Sequence, residues 1–310
     1  MNTSKRKMSF IKFVTKYKYI HMLAIPGLIY ILLFHYVPMY GLIIAFKNYR
    51  GAAGFWGIMK ASWVGFTNFR IFFQSIYFTR LLSNTIILSV LRLLTSFPLT
   101  ILFALFLNEL KNMRFKKVVQ TISYLPHFLS WIVISGLIII LLSPETGPVN
   151  QLLKLLGKDP IFFLANPQWF RFVLIVSGIW QGLGWSSIIY IAAMSGISPE
   201  LYESAEIDGA SRSQKMWFIT LPGIKEIIAI MLILAVGRII NENFDQIFNL
   251  YSPSVYSTAD VFETYVYRSG ITEAKFSYSA AVGLFKSVVS LILVVLANFT
   301  AKKLGSNALW

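Results

Sequence analysis

Six apolar runs, each long enough or nearly long enough to cross a lipid bilayer, decide most of what this chain can become. They cover about Met22–Phe46, Leu81–Leu107, Val118–Leu142, Phe172–Met194, Ile227–Ile240 (continuing partly polar to Phe248) and Phe276–Ala301. A hydrocarbon core about 30 Å thick takes about 20 helical residues, and backbone polar groups inside it must be satisfied within helices or a closed barrel. Runs of this length therefore predict an all-α membrane protein with six transmembrane helices. The mean hydropathy of +0.65, with 56% hydrophobic and only 13% charged residues among 310, leaves no stretch able to fold as a separate soluble enzyme domain.

The net charge of +15 is topological. Lys5, Arg6, Lys7, Lys12, Lys16 and Lys18 precede the first run with no acid among residues 1–20, so residues 1–21 read as a basic cytoplasmic N-terminus and 22–310 as the six-helix domain. Lys111, Arg114, Lys116 and Lys117 follow the second run and Lys302–Lys303 the last, which places both termini in the cytoplasm. Cations that flank apolar runs, without a basic stripe of interleaved aromatics, argue against nucleic acid as a partner. The first run is too long for a signal-peptide core and lacks a small-x-small cleavage site, so it reads as a retained span. Residues 47–80 form an outer loop rich in aromatics whose five cations run against the charge rule, and 143–171 form a second with a short helix at Val149–Leu156.

Between the fourth and fifth runs lies the one long acidic, amphipathic segment, Pro199 to Pro222. Ser198 is placed to cap a helix whose first position is Pro199, and Asp208-Gly209 to end it through a positive φ. Ser211 with Gln214 forms a capping-box pair for a second helix that ends at Leu221-Pro222. Glu200, Glu203 and Glu206 recur at spacings of three, where a helix lying on a membrane surface would carry Lys and Arg. That face suits a basic protein partner.

Glu203-Ser204-Ala205, then Gly209, then nine residues, then Ile219-Thr220-Leu221-Pro222 resembles the EAA loop of bacterial ABC-importer permease subunits, E-A-A-x3-G-x9-I-x-L-P. Every spacing is met; Ser204 replaces the middle alanine, and Glu226 stands where carbohydrate-type permeases often carry a second proline. His35-Tyr36-Val37-Pro38-Met39-Tyr40-Gly41 with Ala45-Phe46-Lys47 resembles the branch that imports polysaccharide fragments. The resemblance covers essentially the whole chain. It implies a MetI-like permease fold and a bacterial plasma-membrane subunit that works with a second homologous permease, two ATP-binding subunits and an extracytoplasmic solute-binding protein. On this reading the loop docks in a cleft of the ATP-binding subunit, with Leu201, Ala205 and Leu221 as apolar anchors, Glu203 in an ion pair, and Asp208, Gly209 and Pro222 shaping the bend.

The chain's own chemistry is not catalytic. It has no cysteine, its three histidines are scattered, and no G-x4-G-K-[ST] phosphate cradle occurs, so no cofactor or metal is expected and Mg-ATP belongs to partner subunits. Arg92 and Arg238 each lie eleven residues into a span, roughly 17 Å at about 1.5 Å per residue, and Lys286 falls inside the sixth; ionisable residues so deep are functional candidates. Glu242 is one turn from Arg238, and Asp245 follows among Asn241, Asn243 and Gln246. Two readings stand. Arg238–Glu242 is a structural pair while Arg92 and Lys286 snorkel or meet acids of the partner permease, or the surplus cations line a path for an acidic, uronate-bearing oligosaccharide. Trp180, Gln181 and Trp185, among Gly182 and Gly184, offer sugar-stacking faces or close helix packing. The rival mechanism, an ion-gradient-driven sugar transporter, calls for broken helices with acidic ion ligands in matched halves, and intramembrane acids are nearly absent.

Overall fold

The computed structural model describes residues 16–51, 54–237 and 244–303. Among them the chain is helical throughout, with a single isolated bridge between Lys47 and Trp63 and no strand. Four helices are long and apolar enough to cross a membrane: α1 (Lys18–Phe46), α4 (Ile76–Asn108), α8 (Pro167–Met194) and α15 (Phe276–Lys303). Two bent pairs complete six spans when each pair is taken as one: α5 (Met113–Phe128) with α6 (Trp131–Leu141), and α10 (Arg212–Gly223) with α11 (Lys225–Gly237). α9 (Pro199–Ile207) bridges α8 to α10, and α12 (Phe244–Leu250), α13 (Tyr256–Ala259) and α14 (Phe262–Tyr267) form a cap between the fifth and sixth spans.

The third span departs from the continuous helix expected over Val118–Leu142, because α5 and α6 meet at 103°. Pro126 lies in a 3-10 segment, Leu129 turns extended, and the Ser130 hydroxyl accepts from the Val133 N–H to start a new helix. A proline without a donor followed by a capping serine breaks a helix whatever the hydropathy around it. The first span stays continuous by changing type: residues Leu32–Tyr36 are π-helical and Tyr40–Phe46 3-10, on either side of Pro38.

The loops expected on the outer side are built rather than loose. α2 (Gly54–Lys60) and α3 (Thr67–Gln74) lie within 47–80. Lys47 is buried there, its Nζ donating to the carbonyls of Ile58 (2.8 Å) and Met59 (3.2 Å) and resting 5.1 Å from the Trp63 ring. One of the five cations that run against the charge rule is therefore a structural strut. In the second loop α7 (Pro148–Leu155) matches the expected short helix, and buried Asn150 ties it down through bonds to Leu142, Ser143 and Ile161.

α8 packs along α4 and forms the spine of the molecule. Near its N-terminal end Phe170, Val173 and Leu174 join Leu88, Ile134, Ile247 and Val255 in one apolar cluster; near its C-terminal end Tyr190 and Met194 join Ile101, Leu105, Met216 and Ile224 in another. A third cluster of Phe72, Leu81, Phe262, Tyr265 and Val282 seats α3 and α14 on α15. Gly184 lets α8 touch α5, since a Cβ there would stand 2.2 Å from the Ser123 carbonyl oxygen. That close approach is what small residues supply between membrane helices.

Candidate functional site: coupling loop and membrane interior

The two helices of the acidic segment form as their sequence dictates. α9 ends in a Schellman turn: Gly209 sits at φ +76°, its N–H bonds to Glu206 (3.1 Å), and the Ala210 N–H reaches the Ala205 carbonyl (2.8 Å). Ser211 and Gln214 cap the next helix reciprocally, the Gln214 N–H to Ser211 Oγ at 3.3 Å and the Ser211 N–H to Gln214 Oε1 at 2.7 Å. The expected side-chain cap at Ser198 does not form, and Pro199 alone marks that start. The Tyr202 hydroxyl meets Thr220 at 2.9 Å and Lys215 meets Glu206 at 3.4 Å, which locks the hairpin against itself.

What the hairpin leaves exposed differs in part from expectation. Glu200, Glu203, Asp208, Pro222 and Leu201 are exposed, together with Ile207 (88%) and Phe218 (77%), two apolar residues that spacing did not single out. Ala205 is partly buried, and Leu221 packs into the cluster around Met216 and Ile224. Leu221 thus anchors the loop to its own bundle. A polar groove of about 550 Å³ separates the hairpin from residues 108–111, lined among others by Lys111, Glu206, Arg212 and Lys215.

Inside the bundle the candidate path residues divide. Arg92 Nη2 donates to Gln246 Oε1 (2.6 Å), and fully buried Gln246 spends its N–H groups on the Leu174 carbonyl and Ser177 Oγ, both 2.8 Å. One amide thereby fixes α4, α8 and α12 together. Lys286 pairs with Glu263 of α14, so its counter-charge comes from its own chain and not from snorkelling or a partner's acid. Asp245 is exposed on α12. Arg238, Asn241, Glu242 and Asn243 lie outside the described residues.

Trp180 and Trp185 are each about half-exposed, with Gln181 partly buried between them. Five residues at about 100° each put the two indoles on different faces of α8, so they do not form one platform. Trp185 instead stacks on His127 (4.7 Å, 4°) beside Phe128, at the break in the third span. Gly184 serves packing, whereas a Cβ at Gly182 would meet open space.

The cap carries a network that spacing could not reveal. Asp260 has no exposed surface and accepts from Arg268 through both oxygens (3.1 and 2.5 Å) and from Thr264 (2.9 Å), while the Arg268 guanidinium lies 4.4 Å from the Tyr256 ring. Arg171 of α8 donates to the Thr258 carbonyl (3.0 Å) and to Asn84 of α4 (2.8 Å), and Asn84 donates to the Asp260 carbonyl (3.1 Å). At the outer rim Glu273, 2.7 Å away, holds the Lys275 ammonium above its usual range. Among the described residues no group of three or more His, Asp or Glu side chains could hold a metal ion.

Residues 96–306 match the family model described as the binding-protein-dependent transport system inner membrane component. The chain is 45% identical over 306 residues to the polygalacturonan/rhamnogalacturonan transport system permease protein YteP of Bacillus subtilis (strain 168), covering 99% of this chain and 94% of that one. Protein LplB of the same strain is 42% identical over 308 residues, covering 99% and 96%. Among solved structures, a chain of a bacterial ABC transporter involved in the import of the acidic polysaccharide alginate superposes with a TM-score of 0.88 at 42% identity, over 96% of this chain and 99% of that one. A chain of a bacterial alginate ABC transporter, in complex with an alginate pentasaccharide-bound periplasmic protein, gives 0.90 at 41%, over 97% and 100%. With its EAA-type loop folded as a capped helical hairpin below a six-span bundle, this chain belongs to the family of inner-membrane components of binding-protein-dependent transport systems.

Proposed function

We propose that this chain is one of two membrane-spanning subunits of an ATP-driven importer for acidic oligosaccharides, those bearing uronates above all. Hydrolysis of Mg-ATP takes place on two separate ATP-binding subunits, whose closure is transmitted through Pro199–Pro222; a second permease completes the path, and an extracytoplasmic binding protein delivers the sugar. Both termini face the cytoplasm, consistent with the cations at each end of the chain.

The observation that carries the acidic reading is the likeness, at 42% identity over 96% of this chain, to a chain of an ABC transporter involved in the import of the acidic polysaccharide alginate; Arg92, a guanidinium midway along the 33-residue α4 and bonded to Gln246, is the cation this chain would offer the sugar. Lys286 is discounted, since Glu263 neutralises it. The names of the similar proteins, which concern alginate and polygalacturonan, support the same class.

The test is ATPase activity of the complete complex in lipid nanodiscs with its binding protein and matched neutral and uronate oligosaccharides. Uronates are expected to stimulate more strongly, and Arg92→Gln to bring the preference down about tenfold, the worth of one charge-assisted contact. Equal stimulation by neutral and acidic sugars in the wild type would sink the acidic reading. Failure of an ATP-binding subunit to co-purify would sink the importer.

A further inference from the structure

α7 has three faces, and its own chain covers one of them. At about 100° per residue, Val149, Asn150 and Leu153 share one arc of the helix, Gln151 and Lys154 a second, and Leu152, Leu155 and Leu156 a third. The first arc is sealed: Asn150 is buried, and Val149 and Leu153 pack on the cluster of Phe163, Phe170, Ile247 and Val255. The third is apolar and open, with Leu152 62%, Leu155 83% and Leu156 73% exposed, and Phe162 is open further along the same loop.

An apolar patch so open calls for a cover other than water. The level at which the helix sits says which. Asn150 donates to the carbonyls of Leu142 and Ser143, both 3.1 Å, directly after α6 ends at Leu141. Phe163 of the same loop meets Trp169 in the first turn of α8, 5.4 Å between centroids. α7 is thus pinned level with the ends of two spans, on the side remote from the hairpin, which leaves the other end of α8. Trp169 and Phe172, 5.9 Å apart, are themselves exposed there, as aromatics at a membrane–water boundary are.

Charge completes the picture. Lys154 is exposed on the second arc, and Lys158, also exposed, follows the turn at Gly157, where φ is +71°. Asp159 is the only acid between Glu145 and Glu200. A short helix with one leucine side and one lysine side, lying where hydrocarbon ends, has the chemistry of an interfacial anchor.

We propose that α7 and the turn that follows it hold this end of the bundle to the membrane surface. Leu152, Leu155, Leu156 and Phe162 sit among the acyl chains of the leaflet remote from the hairpin, while Lys154 and Lys158 meet the phosphates of anionic phospholipid. The covered arc gives the anchor a consequence for the cap. Val149 and Leu153 pack on the cluster that also seats Ile247, Leu250 and Val255, so lipid held by one side of α7 fixes the height of the cap through the other. The proposal stands on the membrane fold and is independent of which sugar is carried.

The chain has no cysteine, so Leu155→Cys and Gln151→Cys each give it a single attachment point for an environment-sensitive fluorophore. Both are read in the complete complex, in nanodiscs of neutral lipid with and without phosphatidylglycerol, against a wild type treated identically. One quencher is carried on a lipid acyl chain and the other is dissolved in water. The label at 155 is expected to be quenched by the lipid at least about threefold more than the label at 151, and the order to reverse with the soluble quencher. Phosphatidylglycerol should deepen the lipid quenching at 155, and Lys154→Gln with Lys158→Gln should abolish that dependence. A label at 155 as open to the soluble quencher as the one at 151 would show a face bare to solvent. One shielded from both quenchers would show a protein cover, the binding protein if shielding appears only when it is added. Either result overturns the anchor, and lipid quenching indifferent to phosphatidylglycerol overturns the part assigned to the lysines.

Discussion

Asp260 is the residue on which the outer cap depends most. It is sealed from solvent, and its carboxylate meets Arg268 through both oxygens and Thr264 through one. Removing one member of a buried ion pair strands the other's charge, so Asp260→Asn should destabilise the chain by about 3–5 kcal/mol. Thermal unfolding of the detergent-solubilised complex checks this; an unchanged midpoint would mean the pair is not what holds the cap. Arg268→Met added to Asp260→Asn removes the orphaned charge and should recover part of the loss. Neither partner announces the other in the sequence, because they lie eight residues apart across a helix start, and Lys286 and Glu263 are hidden further still, 23 residues apart on two helices. Gly209, Ser211 and Gln214 were legible for the opposite reason: their bonds close within a few residues.

At the level of elements, the hairpin proposed to couple to the ATP-binding subunits is a self-locked piece with an acidic, partly apolar face left open. Glu203→Ala should cut sugar-stimulated ATPase at least about tenfold, since deleting one member of a partly desolvated interfacial charge pair costs about 2–5 kcal/mol. The subunits should still co-purify, because Leu201, Ile207 and Phe218 remain exposed for contact. Wild-type activity in that variant would remove Glu203 from the coupling. The bend between α5 and α6 was not legible in the same way. Residues 118–142 are apolar enough overall to read as one span, and Pro126 and Ser130, which do break the helix, are the kind of residues that membrane bundles often accommodate.

For the whole molecule, the apolar runs gave the all-helical membrane class, because the bilayer permits few alternatives to helices, and the described residues give four spans, or six when each bent pair counts as one. The pairing of α4 with α8 and the attachment of the cap were not legible, since they depend on Asn84, Arg171 and Gln246 meeting partners far along the chain. On the proposed function, one chain makes half a path. Purified alone in nanodiscs it is expected to bind no ATP and to transport no sugar, and saturable binding of a fluorescent ATP analogue would contradict that. α8 also has a mechanical meaning. At about 1.5 Å per residue its 28 residues make a rod of roughly 42 Å. At one end it leads through residues 195–198 into the coupling hairpin, and at the other Arg171 grips the cap. Under a rigid-body tilt, a rod held at Gly184 against Ser123 would move its two ends in opposite senses, so one element links the hairpin to the cap.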